Sequence, residues 1–155
     1  MGFTKQAIIF IGLQGSGKTW YYNQFLSCEY THINLDTLHT RNKERITLEE
    51  CMKEGRNIVI DNTNPTKADR QRYIPLLRQA GYRITGYFFE SRVKDCIRRN
   101  EQRTGKARIP NAAIAATSNK LELPDLKEGF DELYFIARNS ETVMEKKEWR
   151  KGNEL

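Results

Sequence analysis

No stretch constrains this chain more than Gly12-Leu13-Gln14-Gly15-Ser16-Gly17-Lys18-Thr19. Two glycines separated by four residues and followed by Lys and Thr form a phosphate-loop pattern. The apolar run Ala7-Ile8-Ile9-Phe10-Ile11 precedes it, with the composition of a strand buried on both faces. Trp20, Tyr21, Phe25 and Leu26 come after it at helical spacing. Strand, glycine loop and helix in that order predict a concave nest of backbone N–H groups from residues 13 to 18, suited to an anion. Gly12, Gln14, Gly15, Ser16, Gly17, Lys18 and Thr19 are the candidate triphosphate-binding residues. In such a loop Lys18 reaches the β- and γ-phosphates, and the Thr19 hydroxyl binds Mg2+. The implied cofactors are ATP, or another nucleoside triphosphate, and Mg2+.

A length of 155 residues suits one domain, 1–155. No apolar run approaches the roughly 20 residues of a membrane helix, and the N-terminus lacks the apolar stretch of a signal peptide. Cys28, Cys51 and Cys96 match no zinc or redox spacing, so reduced thiols in a cytoplasmic protein are the simplest account. The net charge of +6 is unevenly spread. Residues 92–108 carry Arg92, Lys94, Arg98, Arg99, Arg103, Lys106 and Arg108 against only Asp95 and Glu101. That concentration points to an anionic ligand, either nucleotide phosphates or a nucleic-acid backbone.

Further along, residues 30–35 read as a second strand ending at Asp36, and 42–55 as a helix. Thr47 and Glu50 have capping-box spacing at its start or at a break within it. Residues 57–60 form a third strand closing on Asp61. Next comes a helix capped by Thr66 and Asp69, kinked or split at Pro75, then a strand over 82–89. Ser91 is placed to cap a basic helix to about 103. Thr104-Gly105 and Ile109-Pro110 break it before a helix over 111–121, so residues 91–121 have the outline of a mobile lid. The last strand covers 133–136, and the charged tail from Ser140 reads as a terminal helix. Strands alternating with helices predict an α/β fold, a parallel sheet of about five strands with helices on both faces.

In such a sheet ligands gather at the C-terminal strand ends. Asp36 is the candidate general base, taking the proton from an acceptor hydroxyl; the alternative is a turn cap. Asp61 stands where a carboxylate holds Mg2+, or else caps its own loop. Arg99 and Arg103 share one helix face and are placed to close on the transferring phosphate. Neither His32 nor His39 has metal-ligand spacing, which leaves both in surface or packing roles.

Lys18-Thr19, Asp36-Thr37-Leu38, Asp61-Asn62-Thr63-Asn64-Pro65, and Arg99-Asn100 with Arg103 and Pro110 together resemble the 5′-kinase domain of polynucleotide kinases. The Asp-Asn-Thr-Asn-Pro and Asp-Thr-Leu segments are most similar to the animal kinase-phosphatases, and the Arg-Asn-x-x-Arg segment to the bacteriophage enzymes. The resemblance implies a phosphate-loop kinase fold and ATP-dependent phosphorylation of 5′-hydroxyl ends of DNA or RNA. It assigns Asp36 as base, Lys18 and Thr19 to phosphate and Mg2+, and Arg99 and Arg103 to the donor phosphates as further catalytic groups. It also implies that Arg72 contacts nucleic acid. The bacteriophage enzymes carry an arginine where this chain has His39, and Arg41 or Arg72 is the candidate replacement. Arg138 and Asn139 stand where adenine packs in related folds. No Asp-x-Asp-Gly-Thr phosphatase segment is present, so a separate phosphatase or ligase is an expected partner. A kinase of a small hydroxyl-bearing metabolite on the same scaffold is the alternative.

Overall fold

The computed structural model describes residues 4–140 and 143–149. Six strands form one sheet in the order β2-β3-β1-β4-β5-β6. They are β1 Gln6–Ile11, β2 Thr31–Ile33, β3 Ile58–Ile60, β4 Arg83–Phe89, β5 Glu132–Arg138 and β6 Met144–Glu148. The first five run parallel, and β6 pairs antiparallel with β5. The helices are α1 Lys18–Phe25, α2 Leu35–Leu38, α3 Arg41–Glu54, α4 Lys67–Gln71, α5 Ile74–Gln79, α6 Val93–Glu101 and α7 Asn111–Lys120. Among the described residues no helix is long and apolar enough to cross a membrane.

Alternation along β1 divides the core between two faces. Ala7, Ile9 and Ile11 join Leu48, Cys51, Ile74 and Leu77 beneath α3 and α5. Ile8 and Phe10 pack with Tyr21, Tyr22, Tyr87 and Phe89 beneath α1. A third cluster of Leu13, Cys96 and Ile114 joins the phosphate loop to α6 and α7. Because β1 lies between β3 and β4, the loops after β1 and β3 and the segment after β4 open on one edge of the sheet.

Several local expectations change. The tail is strand, not helix: Met144–Glu148 pairs along β5, and Trp149 packs edge-on against Phe88 with ring centroids 5.4 Å apart. The tail beyond Trp149 lies outside the described residues. Thr40, not Thr47, caps α3 by accepting from the Lys43 N–H at 3.1 Å, and the helix runs unbroken to Gly55. Thr66 and Asp69 form the expected capping box, and the helix splits before Pro75. Ser91 does not cap α6; its hydroxyl donates to the Phe89 carbonyl and accepts from the Leu13 N–H. Of the apolar residues after the loop, Tyr21 and Tyr22 are buried, whereas Trp20 and Phe25 are exposed.

Candidate active site

The chain turns sharply twice within the phosphate loop, at Gly15 (φ 83°) and Gly17 (φ 95°). A Cβ on Gly15 would lie 2.6 Å from the Cys96 carbonyl oxygen, so the glycine also admits α6 against the loop. Gly12 N–H donates to the Thr63 carbonyl at 3.0 Å, which ties the loops after β1 and β3 together. Leu13 N–H is engaged by Ser91, and Ser16 N–H by the Leu13 carbonyl. The inward set of amides is therefore smaller than the whole run from 13 to 18. The Lys18 ammonium folds back on its own loop, donating to the carbonyls of Gly12 at 3.0 Å and Leu13 at 2.9 Å. Burial holds its pKa below the usual lysine value, against the opposing pull of Asp61.

Asp61 comes directly after β3 and is almost wholly enclosed. Its Oδ2 accepts from the Thr19 hydroxyl at 2.7 Å and lies 2.7 Å from His32 Nε2. The loop-capping alternative for Asp61 has no support, because its carboxylate faces α1 and β2 rather than Asn62 or Thr63. Strand alternation explains the convergence. His32 stands opposite Val59, two residues before Asp61, so all three project toward α1. Spacing alone assigns His32 to packing; the parallel register between β2 and β3 is the signal that brings it into the site.

Asp36 lies not at a strand end but in the first turn of α2, exposed. Two asparagines hold that turn. Asn34 accepts from Thr37 N–H at 3.2 Å while its own amide donates to the Asp61 carbonyl at 2.6 Å. Asn62 accepts from Leu35 N–H at 3.0 Å. Asp36 is thus fixed to the segment that carries Asp61, and it is close enough to Lys18 to favour that ammonium's charged form. Asn64, in the same segment and at φ 45°, is structural: its amide donates to the Phe10 carbonyl at 2.8 Å.

Beside α2, buried Glu44 accepts from Arg41 at 2.9 Å, Tyr73 at 2.9 Å and Asn62 at 2.8 Å. Arg41 Nη1 also donates to the Tyr73 hydroxyl at 2.9 Å, so the guanidinium is anchored beside α2 while half of its side chain stays exposed. Burial, and then Glu44, push the Tyr73 hydroxyl up to about 12. Arg72 is exposed at the end of α4, and His39, at φ 70°, is exposed after α2.

Arg99 and Arg103 differ in their surroundings. Arg99 Nε donates to the Gly15 carbonyl at 2.6 Å, against the phosphate loop itself. Arg103 lies beyond the end of α6, exposed, and near enough to Lys18 to disfavour its charge. Buried Asn100 closes the loop between α6 and α7: its Oδ1 accepts from Ile109 N–H at 2.9 Å and its amide donates to the Ile109 carbonyl at 2.5 Å. Gln14 donates to the Thr117 hydroxyl on α7 at 3.3 Å. Arg138 ends β5 and lies over Gly17. A cavity of about 230 Å³ opens there, lined by Glu90, Arg92, Arg98, Arg99, Arg138 and Asn139 among others.

The donor set fits Mg2+. Thr19 and Asp61 offer hard oxygens, and no group of three or more His, Cys, Asp or Glu among the described residues could hold a metal alone. A magnesium site of one hydroxyl and one carboxylate is completed by phosphates and water.

A family model described as an AAA domain matches residues 43–124, from α3 through the lid segment. A putative bifunctional polynucleotide phosphatase/kinase of Acanthamoeba polyphaga mimivirus is 38% identical over 79 residues, 50% of this chain and 19% of that protein. The bifunctional polynucleotide phosphatase/kinase of Schizosaccharomyces pombe is 26% identical over 130 residues, 81% of this chain and 32% of that protein. This chain therefore spans a third or less of these relatives' length. Among solved structures, Chaetomium thermophilum Kti12 in complex with ADP-AlF3 has a TM-score of 0.64 at 18% identity, covering 88% of this chain and 91% of that one. A gluconokinase from Sinorhizobium meliloti has a TM-score of 0.56 at 18% identity, covering 90% and 86%. The chain belongs to the AAA-domain family and has the fold of the phosphate-loop kinases.

Proposed function

We propose that this chain transfers the γ-phosphate of ATP, or of another nucleoside triphosphate, to the 5′-hydroxyl end of DNA or RNA. The observation that carries this reading is the coupling of Asp36 to the donor site: Asn34 and Asn62 join the turn bearing Asp36 to the backbone around Asp61. A nucleotide switch needs no such carboxylate, whereas a transferase needs a base for the acceptor hydroxyl. Similarity to two proteins named as polynucleotide phosphatase/kinases supports the polynucleotide acceptor.

In this mechanism Lys18 exchanges its contacts with the Gly12 and Leu13 carbonyls for phosphate oxygens. Thr19 and Asp61 would hold Mg2+, which would neutralise charge on the donor phosphates. Asp36 accepts the proton of the attacking 5′-hydroxyl as its oxygen bonds to phosphorus, and the nucleoside diphosphate departs. Arg103 closes on the transferring group, Arg138 packs against the donor base, and Arg41 and Arg72 contact the acceptor strand. A phosphatase or ligase acts before or after this step in end healing.

The inward engagement of Arg41 by Glu44 and Tyr73 favours a second reading, a neutral hydroxyl-bearing metabolite as acceptor. One experiment separates the two. The chain is given γ-labelled ATP with 5′-hydroxyl DNA and RNA oligonucleotides. Labelled 5′ ends, with transfer reduced about 10²–10⁴-fold in Asp36→Asn at unchanged ATP affinity, are expected. Label on a metabolite and on no oligonucleotide reverses the assignment.

A further inference from the structure

We infer that His32 is a positioning residue, holding the Asp61 carboxylate against the Thr19 hydroxyl and thereby setting how tightly a divalent cation is retained beside the nucleotide. The inference rests on the proposed role of Thr19 and Asp61 as the metal-holding pair.

Three elements meet at one oxygen. Asp61 Oδ2 accepts from Thr19 on α1 and faces His32 Nε2 on β2, each at 2.7 Å. With its hydrogen on Nε2 the imidazole donates to that oxygen. The carboxylate is 1% exposed, so water does not replace a lost donor there freely. The ring cannot easily turn away. It stacks on Tyr22, with centroids 4.2 Å apart and planes 19° from parallel, and the Tyr22 hydroxyl donates to the Tyr30 carbonyl at 2.5 Å. Tyr22 lies one helical turn after Thr19, so a single helix supplies both the candidate ligand and the clamp on the histidine.

A ring present only for packing would need no nitrogen aimed at an enclosed carboxylate. Partners behind a metal ligand fix its orientation, and their loss typically weakens metal binding about 10–100-fold. His32 meets that description without touching the cation.

The test measures metal directly, with no acceptor present. Mn2+ binding in the presence of the β,γ-imido analogue of ATP is followed by electron paramagnetic resonance for the native chain, His32→Phe and His32→Gln. Phe keeps a ring against Tyr22 and removes the donor; Gln restores an N–H. The expected result is Mn2+ affinity about 10–100-fold weaker in the Phe variant and largely recovered in the Gln variant. Affinity for the analogue in EDTA should be the same in all three. Native-like Mn2+ affinity in the Phe variant overturns the inference. So does equal loss in Phe and Gln variants, including loss that accompanies a common drop in Tm, because the restored N–H then makes no difference. Failure to phosphorylate oligonucleotides would refute the acceptor assignment and leave this measurement intact.

Discussion

Arg70 has no exposed surface and is among the largest fully enclosed side chains of the described chain. Its Nε and Nη2 donate in parallel to the two oxygens of Glu128, at 2.8 and 3.0 Å, and Nη1 reaches the carbonyls of Asn64, Pro65 and Glu122. This fork pins the end of the segment after β3 to the chain at 122–128. Removing the guanidinium strands a nearly buried carboxylate, which costs about 3–5 kcal/mol. Arg70→Ala should accordingly lower Tm by about 10 °C in a chain of this size, as read by calorimetry. A shift within about 2 °C of the native value would mean that Glu128 finds water or another donor. Nothing in the sequence separates Arg70 from the other basic residues, since its burial depends on a partner 58 positions away. The phosphate-loop residues were legible because their pattern is contiguous. Ser91 and His32 were not, because their partners come from other strands and loops.

At the scale of elements, the segment after β4 divides in two. Much of α6 is part of the phosphate-loop body: Cys96 packs with Leu13, its carbonyl bounds Gly15, and Arg99 donates to the Gly15 carbonyl. α7 is tied to the same loop through Ile114 and the Thr117 hydroxyl, so the connection between the two helices, which carries exposed Arg103, is the part of residues 91–121 least engaged with it. Arg99→Ala should therefore weaken nucleotide binding by loosening the loop, a Kd effect measurable by calorimetry. Arg103→Ala should leave that Kd within a few-fold and lower turnover on the order of a thousand-fold. The reverse pattern would exchange the two roles. The helix break was readable from Gly105 and Pro110, whose backbone preferences are local. Strand β6 was not readable, because its Lys146 covers apolar surface with its stem while its ammonium lies over the Tyr134 ring at 4.5 Å. A charged side chain in that position hides the alternation by which strands are recognised.

For the molecule as a whole, sheet order brings the loops after β1 and β3 to one edge, and the basic α6 rises beside them. With a net charge of +6, oligonucleotide affinity should fall with salt, log K changing by about 0.7 per phosphate contact for each decade of salt. Filter binding of a 5′-hydroxyl oligonucleotide between low and physiological salt reads this slope. A flat profile would assign the acceptor to the neutral class. The doubly wound core was legible from alternating strands and helices, while the sixth strand emerges only once β5 offers it an edge.

That added strand also governs how copies of the protein meet. Among the described residues, one side of Met144–Glu148 has no neighbouring strand, and its backbone is a template on which a second molecule would zip. In the symmetric antiparallel register centred between Lys146 and Lys147, Glu145 would face Glu148 and Lys146 would face Lys147, like charges opposed; in the one centred on Lys146, Glu145 would face Lys147. The charge order of these five residues thus penalises one way of pairing two sheets edge to edge and leaves the other open.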